Sequence, residues 1–246
     1  MKKTLFFVMI IAAFLSSCKD KSLNYSDSNP IQIVFEGSSN KSDHQILVTS
    51  DYDITYTAIN PDNQQVITMP SKGVIHAKNV GTARVKMDNG HDNMTVGVKV
   101  NLFKEPTFDF GCSSAKIRQL YGNPTQSLFQ DTILFYRYTS NDGYTFACGE
   151  MDFFFVNGGY YESDVYIKHD YESLIDDYLD ENFVFETTLG DTLDIYRNKR
   201  DNTVVCGKFA SHNPWDEWCL FYINDDQEKS VANFLNNRPR SSKFLY

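Results

Sequence analysis

The segment Ala83-Arg84-Val85-Lys86-Met87 alternates apolar and polar side chains along its whole length. The segment Val96-Gly97-Val98-Lys99-Val100 repeats this pattern, with a valine at every second position. Side chains of a β-strand point alternately to opposite faces, so a period of two predicts two strands that each have one buried and one solvated face. Such strands are typical of antiparallel sheets. The two segments therefore predict a β-sheet fold for the residues around them.

Short apolar runs separated by turn residues extend the same pattern on both sides. Seven strands at this spacing predict an all-β sandwich over residues 30–102. The predicted strands are Ile31–Phe35, Gln45–Thr49, Ile54–Ala58, Gln65–Met69, Val74–Ala77, Ala83–Met87 and Met94–Val100.

The run from Gly73 to Val85, which ends in Gly81-Thr82-Ala83-Arg84-Val85, resembles the signature of bacterial immunoglobulin-like domains of group 2. Gly73 and Gly81 stand where a tight turn needs a positive φ, which glycine adopts without steric cost. Ser50-Asp51-Tyr52-Asp53 replaces the serine-rich segment with tryptophan that is often found in that family. The resemblance implies a spacer or adhesive module without catalysis, and His76 within it is interpreted as a strand residue rather than a ligand.

The chain from residue 105 to 246 contains an internal repeat. Asp131-Thr132 recurs as Asp191-Thr192, Cys148-Gly149 recurs as Cys206-Gly207, and Tyr166-Ile167 recurs as Tyr222-Ile223. The offset shrinks in steps that fall in predicted turns, so strands keep their register while loops change length. The pattern predicts a duplicated α+β domain with repeat units at about 113–170 and 171–236. Convergence of two similar patterns is the alternative.

Each repeat unit is predicted to be a helix followed by antiparallel strands. The first helix begins at Ser113-Ser114, carries Ile117, Leu120 and Tyr121 on one side, and ends at Gly122. The second begins with Asp170 as its cap, and a last helix runs from about Glu228 to Leu235. The second helix has an acidic side at Glu172, Asp176, Asp177 and Asp180, opposite an apolar stripe of Tyr171, Leu174, Ile175, Tyr178 and Leu179. The strands are predicted at Ile133–Tyr138, Tyr144–Phe155, Tyr160–Ile167, Phe183–Thr187, Leu193–Tyr196, Val204–Phe209 and Trp218–Ile223. This architecture faintly resembles small outer-membrane assembly lipoproteins and β-lactamase-inhibitor-like repeats.

Residues 1–17 have the parts of an export signal: Lys2 and Lys3, an apolar run from Leu5 to Leu15, and a small polar pair before Cys18. That run rises only ~16 Å as a helix, about half of a bilayer core, so a permanent membrane span is disfavoured. Leu15-Ser16-Ser17-Cys18 resembles the lipobox of bacterial lipoproteins of the Bacteroidetes type. The resemblance implies cleavage before Cys18 and acylation of that residue, and the alternative is an ordinary secretory signal with an incidental cysteine.

The polar, aperiodic residues 18–29 are predicted to form a flexible tether. Lys19, rather than aspartate, follows Cys18, which by the same resemblance favours delivery to the outer membrane, on its periplasmic or cell-surface face. Loss of Lys2 and Lys3 with the signal changes the formal charge from −9 to −11. A chain this acidic is a poor binder of polyanions, so nucleic acid is not an expected partner.

Four cysteines besides Cys18 suggest one or two disulfides in an oxidising compartment, although buried reduced thiols are the alternative. Their scattered spacing does not predict a metal site, and no cofactor motif is present. The four are Cys112, Cys148, Cys206 and Cys219. Cys206 and Cys219 lie on consecutive predicted strands, where a cross-strand bridge is geometrically possible.

Catalytic motifs are equally absent from the sequence. Glu150 and Asp152 point two carboxylates to one face of a strand, as in a glycosidase. Four aromatic residues near strand ends are candidates for a ligand platform or for core packing: Tyr160, Tyr161, Trp215 and Trp218. Thr132 and Thr192 stand in Asp-Thr-aliphatic sequences that resemble an O-glycosylation sequon of Bacteroidetes, although shared turn chemistry explains them as well.

The sequence as a whole thus predicts a membrane-anchored exported lipoprotein, held by its lipid, that binds protein or glycan without catalysis. A hydrolase of surface polysaccharide and a structural component of an envelope assembly are the alternatives.

Overall fold

The computed structural model describes residues 22–27, 29–35, 43–130, 132–139, 148–190, 192–210 and 217–225. These residues fall into two compact units. The first unit contains the described residues up to Ile33 and those from Asp43 to Val100. The second contains Val34, Phe35 and the described residues from Asn101 onward. The structure is rich in β-strand, with two short α-helices in its described part.

Strands β1 to β7 build the first unit as two sheets. One sheet has four strands in the order β1-β7-β6-β3, and the other has three strands in the order β2-β5-β4. Their bounds are β1 Ile31–Val34, β2 Asp43–Gln45, β3 Thr55–Ile59, β4 Ile67–Ser71, β5 Val74–Ala77, β6 Gly81–Asp88 and β7 Asn93–Asn101.

The alternation in β6 and β7 has the predicted effect on burial. Val85 lies opposite Val96 in an antiparallel register, and both are buried. Arg84 between the buried positions is exposed, and Lys86 is half-buried. Gly81 has a φ of 143° and Gly73 a φ of 72°, so the prediction of positive φ at these two glycines is confirmed.

Strand β2 differs from the predicted strand Gln45–Thr49. It ends at Gln45, and the next backbone N–H, that of Ile46, donates to the carbonyl of Gly73 at 2.8 Å. Thr49 forms only an isolated bridge, with Asn24. The segment predicted as a free tether thus contacts the first unit at Asn24, and at Leu23, whose N–H donates to Asp92.

One eight-stranded antiparallel sheet forms the centre of the second unit, in the order β12-β13-β14-β15-β11-β10-β9-β8. It consists of two four-stranded meanders, each preceded by a helix and joined to the other where β11 pairs with β15. The elements are α1 Ser114–Tyr121, β8 Gln126–Gln130, β9 Ile133–Thr139, β10 Cys148–Val156, β11 Gly159–Lys168, α2 Glu172–Asn182, β12 Phe183–Leu189, β13 Leu193–Asn198, β14 Val204–Ala210 and β15 Glu217–Asn224.

Helix α1 begins and ends at the predicted residues. The Ser113 side chain accepts a hydrogen bond from the Lys116 N–H, and Gly122, with a φ of 83°, follows the last turn. Ile117 and Tyr121 are buried against the sheet. Leu120, predicted on the same side, is 40 % exposed instead, since it lies beyond the edge of this narrow apolar stripe.

Helix α2 starts differently from the prediction. Asp170 does not cap it, because His169–Tyr171 form a short 3-10 helix and Tyr171 takes the capping position without a side-chain hydrogen bond. The rest of the helix has the predicted polarity. Ile175 and Leu179 are buried, and the acidic side is exposed at Glu172, Asp176, Asp177 and Asp180.

Strand β8 was not predicted from the sequence, because only Leu128 and Phe129 in this strand are apolar. The last predicted helix, Glu228–Leu235, lies outside the described residues.

The two faces of the large sheet differ in composition. Tyr121 of α1 packs on Tyr138 and Phe153, and Tyr178 of α2 lies close to Tyr222, so these strand residues mark a helix-covered face. The residues that alternate with these along each strand make the other face. That face includes an apolar cluster of Leu193, Ile195, Val205, Phe221 and Ile223.

Candidate functional site

Charged side chains concentrate on the face of the large sheet opposite the helices. In the register of β9, β10 and β11, Arg137 stands beside Asp152 and Asp152 beside Asp164. Side chains at paired positions point to the same face, so the three lie in one row. The same face also carries Glu150, Glu162 and Glu217.

Arg137 holds two of these carboxylates directly. Its Nε donates to Asp152 Oδ1 at 3.0 Å and its Nη2 to Asp152 Oδ2 at 2.9 Å, which is the bidentate geometry that suits a guanidinium. Nη2 also lies 2.7 Å from Glu150 Oε1. The side chain of Asp152 is completely buried and that of Arg137 nearly so. Both predicted acidic residues therefore belong to one buried ion-pair network.

The protonation of this network follows from its burial. Burial raises the pKa of Glu150 strongly, and the neighbouring charge of Asp152 raises it further. Burial also raises the pKa of Asp152, while the hydrogen bond from Arg137 opposes that rise. The two groups form a coupled pair, in which Glu150 keeps its proton at neutral pH and Asp152 is the carboxylate that neutralises Arg137.

The arrangement differs from that of a glycosidase. Acid and nucleophile in those enzymes stand ~5 Å or more apart, with the sugar between them. Here a single guanidinium nitrogen contacts both Glu150 and Asp152, and the side chain of Asp152 is completely buried. In the part of the chain that the structure describes, no three His, Cys, Asp or Glu side chains are placed to hold a metal ion.

Two glycines allow close packing on the same face, and the sequence analysis gave them no role. A Cβ at Gly149 would lie 2.6 Å from Glu217 Oε1. A Cβ at Gly207 would lie 2.1 Å from the ring of Phe221. The recurrence of Cys-Gly in both repeat units was a sequence signal that could have identified these two glycines. Its physical basis is that a side chain of β15 packs against the backbone at each glycine, where a Cβ would clash.

The predicted aromatic platform does not form as one surface among the described residues. Tyr160 is completely buried, stacks on Phe110 at 4.9 Å and donates to Ser163 Oγ. Its ring is therefore part of the core. Tyr161 is half-buried. Trp218 is half-buried on the helix-covered face, where the Lys208 Nζ lies 4.4 Å from its ring, and Trp215 lies outside the described residues.

Among the described residues, Cys112, Cys206 and Cys219 form no disulfide with one another. Cys206 pairs with Tyr222, whereas Cys219 pairs with Phe209, three residues along β14. An odd separation places the two thiols on opposite faces of the sheet, so the suggested Cys206–Cys219 bridge does not fit this register. The Cys148 side chain and Cys18 lie outside what the structure describes.

The remaining predicted residues lie at turns and in the first unit. Thr132 and Thr192 are both exposed, directly before β9 and β13. Asp131 and Asp191 before them lie outside the described residues. His76 is buried, and its Nδ1 lies 2.8 Å from Asp43 Oδ1 across the β2–β5 pair, which fits its interpretation as a strand residue.

A groove of about 570 Å³ lies on the first unit. Residues 23–26 line one side and Leu47, Val48 and Thr49 the other. Leu47 is 80 % exposed, so its side chain adds apolar surface to the groove. The groove thus combines apolar surface with polar groups from Asn24 and Thr49, a mixture typical of ligand sites.

Comparison with known proteins gave no match to this chain among protein-family models, curated proteins or solved structures. No helix in the described ranges has the length and apolar character needed to cross a bilayer.

Proposed function

We propose that this chain is an exported lipoprotein, held to the outer membrane through Cys18, that binds a protein or a glycan without catalysing a reaction. The order of basic residues, apolar run, small residues and cysteine in positions 1–18 supports the anchor. Several buried acyl chains at ~0.8 kcal/mol per methylene would make such an attachment nearly permanent.

The observation that carries the non-catalytic part of the proposal is the contact of Arg137 with both Glu150 and Asp152. These two carboxylates were the best candidates for catalysis in the sequence. An ion pair with a buried guanidinium occupies the oxygens of Asp152, which a hydrolase would need to present to substrate or water.

The groove on the first unit is the ligand surface that we favour. Leu23, Tyr25 and Leu47 offer apolar contact area, and an aromatic ring such as that of Tyr25 suits stacking on a sugar or a peptide. The four-stranded and three-stranded sheets of this unit are in keeping with an immunoglobulin-like sandwich, a common scaffold for adhesive modules.

The sheet order around β11 and β15 supports duplication of the second unit. Tyr166 pairs with Cys219, and Tyr222 pairs with Ser163. Tyr222 is the repeat counterpart of Tyr166, and the sheet order places the meander β8 to β11 on one side of the β11–β15 contact and the meander β12 to β15 on the other. Two copies of one strand that meet about a local two-fold axis would give this pattern.

The anchor is tested by replacing Cys18 with alanine in the exporting bacterium. The unchanged protein should fractionate with the outer membrane and have the mass of a cleaved, acylated chain. The Cys18→Ala variant should lose both properties. Equal retention of this variant in the membrane fraction would contradict the lipid anchor.

Binding is tested with a glycan array and a panel of purified outer-membrane proteins. Leu47→Glu places a charge at the groove and should weaken binding at least about tenfold. Ile59→Glu, at another exposed apolar residue of the first unit, is the matched control and should leave binding unchanged. Absence of any ligand, or equal loss in both variants, would count against the groove.

A hydrolase remains the second candidate because of one observation. Glu150 is a protonated acid next to a carboxylate, a pairing that acid-base catalysts use. Hydrolysis of surface polysaccharide by the chain, abolished by Glu150→Gln, would favour this candidate. Activity that is unchanged in the variant would exclude Glu150 as its acid.

A further inference from the structure

Strand β8 forms one edge of the large sheet, and β9 is its only partner among the described strands. Its backbone groups on the outer side are therefore available to another strand. Phe129 in this strand is 73 % exposed. Exposure of a phenylalanine on an open sheet edge indicates a contact surface rather than a core position.

β8 lacks the features that usually keep edges from pairing. Its sequence, Gln126-Ser127-Leu128-Phe129-Gln130, contains no charged residue and no proline. Its five residues pair with β9 in an unbroken register, without a bulge. Natural edge strands are normally protected by a charge, a proline or a bulge, so the absence of all three is informative.

The opposite edge of the same sheet, β12, has two of these features. The register with β13 shifts between Phe185 and Thr187, which marks an irregularity at Glu186. Glu186 itself is charged and forms an ion pair with Arg197. The two edges that the described strands give this sheet thus differ in their protection, and β8 is the less protected of the two.

We propose that β8 pairs antiparallel with β8 of a second copy of this chain, about a two-fold axis at Leu128, so that the sheet continues across two molecules. In this register Leu128 stands opposite its own counterpart. Gln126 stands opposite Gln130, where two side-chain amides can exchange hydrogen bonds. Ser127 stands opposite Phe129, and the two phenylalanines become diagonal neighbours within reach of each other.

Among the described edges of the large sheet, β8 is the one at which two copies meet with the least charge repulsion, and its Gln-Ser-Leu-Phe-Gln sequence can pair with itself. The chain carries a formal net charge of −9, so two copies repel each other over most approaches. Pairing through β8 places no charged side chains opposite one another. Pairing of β12 with itself about Glu186 would place two glutamates directly opposite, which destabilises a strand pair.

The test uses residues 19–246, which retain every described residue, and measures sedimentation over a wide range of protein concentration. The chain should sediment as a dimer that dissociates on dilution. Phe129→Lys should raise the dimer dissociation constant at least about tenfold. Val184→Lys, at a 55 % exposed residue of β12, is the control and should leave the constant unchanged.

A charge exchange at Leu128 tests the register itself. Leu128→Lys alone and Leu128→Glu alone should both be monomeric, because each places two like charges opposite one another. An equimolar mixture should dimerise, since Lys and Glu then face each other. A monomeric unmodified chain, or a dimer that survives Phe129→Lys, overturns the proposal. A mixture that stays monomeric, although both variants retain the circular dichroism of the unmodified chain, overturns it too.

Discussion

Arg137 shows at the scale of single residues how this chain tolerates several acidic groups in one buried place. Its guanidinium forms two hydrogen bonds with the Asp152 carboxylate, and its Nη2 lies 2.7 Å from Oε1 of the protonated Glu150. A buried pair of this kind contributes little net stability over an apolar core, but the loss of one partner leaves a buried charge without compensation. The network is therefore sensitive to substitution at either end.

Asp152→Ala should lower the free energy of unfolding of the second unit by about 3–5 kcal/mol, because Arg137 would remain buried without its main counter-charge. Urea denaturation followed by circular dichroism measures the change. Glu186→Ala, which removes a partly exposed partner of Arg197, is the control and should cost no more than about 1 kcal/mol. Equal effects of the two substitutions would contradict the importance of burial.

Gly207→Ala should be destabilising by about 1–3 kcal/mol, because its new methyl group would overlap the ring of Phe221. Gly97→Ala is the matched control, since its Cβ would lie 3.5 Å from Pro30 Cβ, at ordinary contact distance. Thermal unfolding of the two variants compares these costs. An unchanged melting temperature for Gly207→Ala would show that the Phe221 ring moves freely away.

At the scale of single elements, the sequence predicted a helix end correctly where that end depends only on residues in the helix and directly next to it. The Ser113 side chain caps α1, and Gly122 follows its last turn with a positive φ, as the sequence predicts. Asp170 failed as a cap of α2 because the chain leaves β11 through a 3-10 turn, which displaces the start of the helix to Glu172. Such a turn depends on where the preceding strand ends.

Ser113→Ala should destabilise the second unit by about 1 kcal/mol, because the Lys116 N–H would lose its side-chain acceptor at the start of α1. Chemical denaturation gives the difference in free energy. Ser173→Ala provides the control, since Ser173 is exposed within α2 and alanine has the higher helix propensity. A loss in Ser173→Ala as large as that in Ser113→Ala would rule out a specific capping effect.

At the scale of the whole molecule, the coupled carboxyls make stability depend on pH. The pKa of Glu150 rises to about 9 in the folded chain, from 4.5, mainly through burial. Between these values the folded chain binds more protons than the unfolded chain, so stability falls as pH rises. The favourable contribution is fully present below pH 4.5 and is lost as pH passes through about 9.

Glu150→Gln should flatten this dependence, because glutamine resembles the protonated acid at every pH. The free energy of unfolding of the unmodified chain should fall by up to about 1.4 kcal/mol per pH unit relative to the variant. Urea titrations at several pH values between 5 and 9 measure both slopes. Parallel slopes would show that Glu150 ionises normally in the folded chain.

The sequence by itself determined the features that depend on near neighbours along the chain. Alternation predicted β6 and β7, glycines predicted the positive φ at Gly73 and Gly81, and apolar spacing predicted the buried side of α2. The sequence also placed Glu150 and Asp152 on one face of a strand, because side chains two residues apart on a strand point the same way.

Only the tertiary structure decided what those residues meet. Three observations follow from the pairing of strands that are distant in sequence. Arg137 contacts both Glu150 and Asp152, Tyr160 lies in the core, and Cys206 and Cys219 point to opposite faces of the sheet. Register between such strands is set by the packing of the whole sheet, and a shift of one residue would exchange its two faces. No local pattern contains that information.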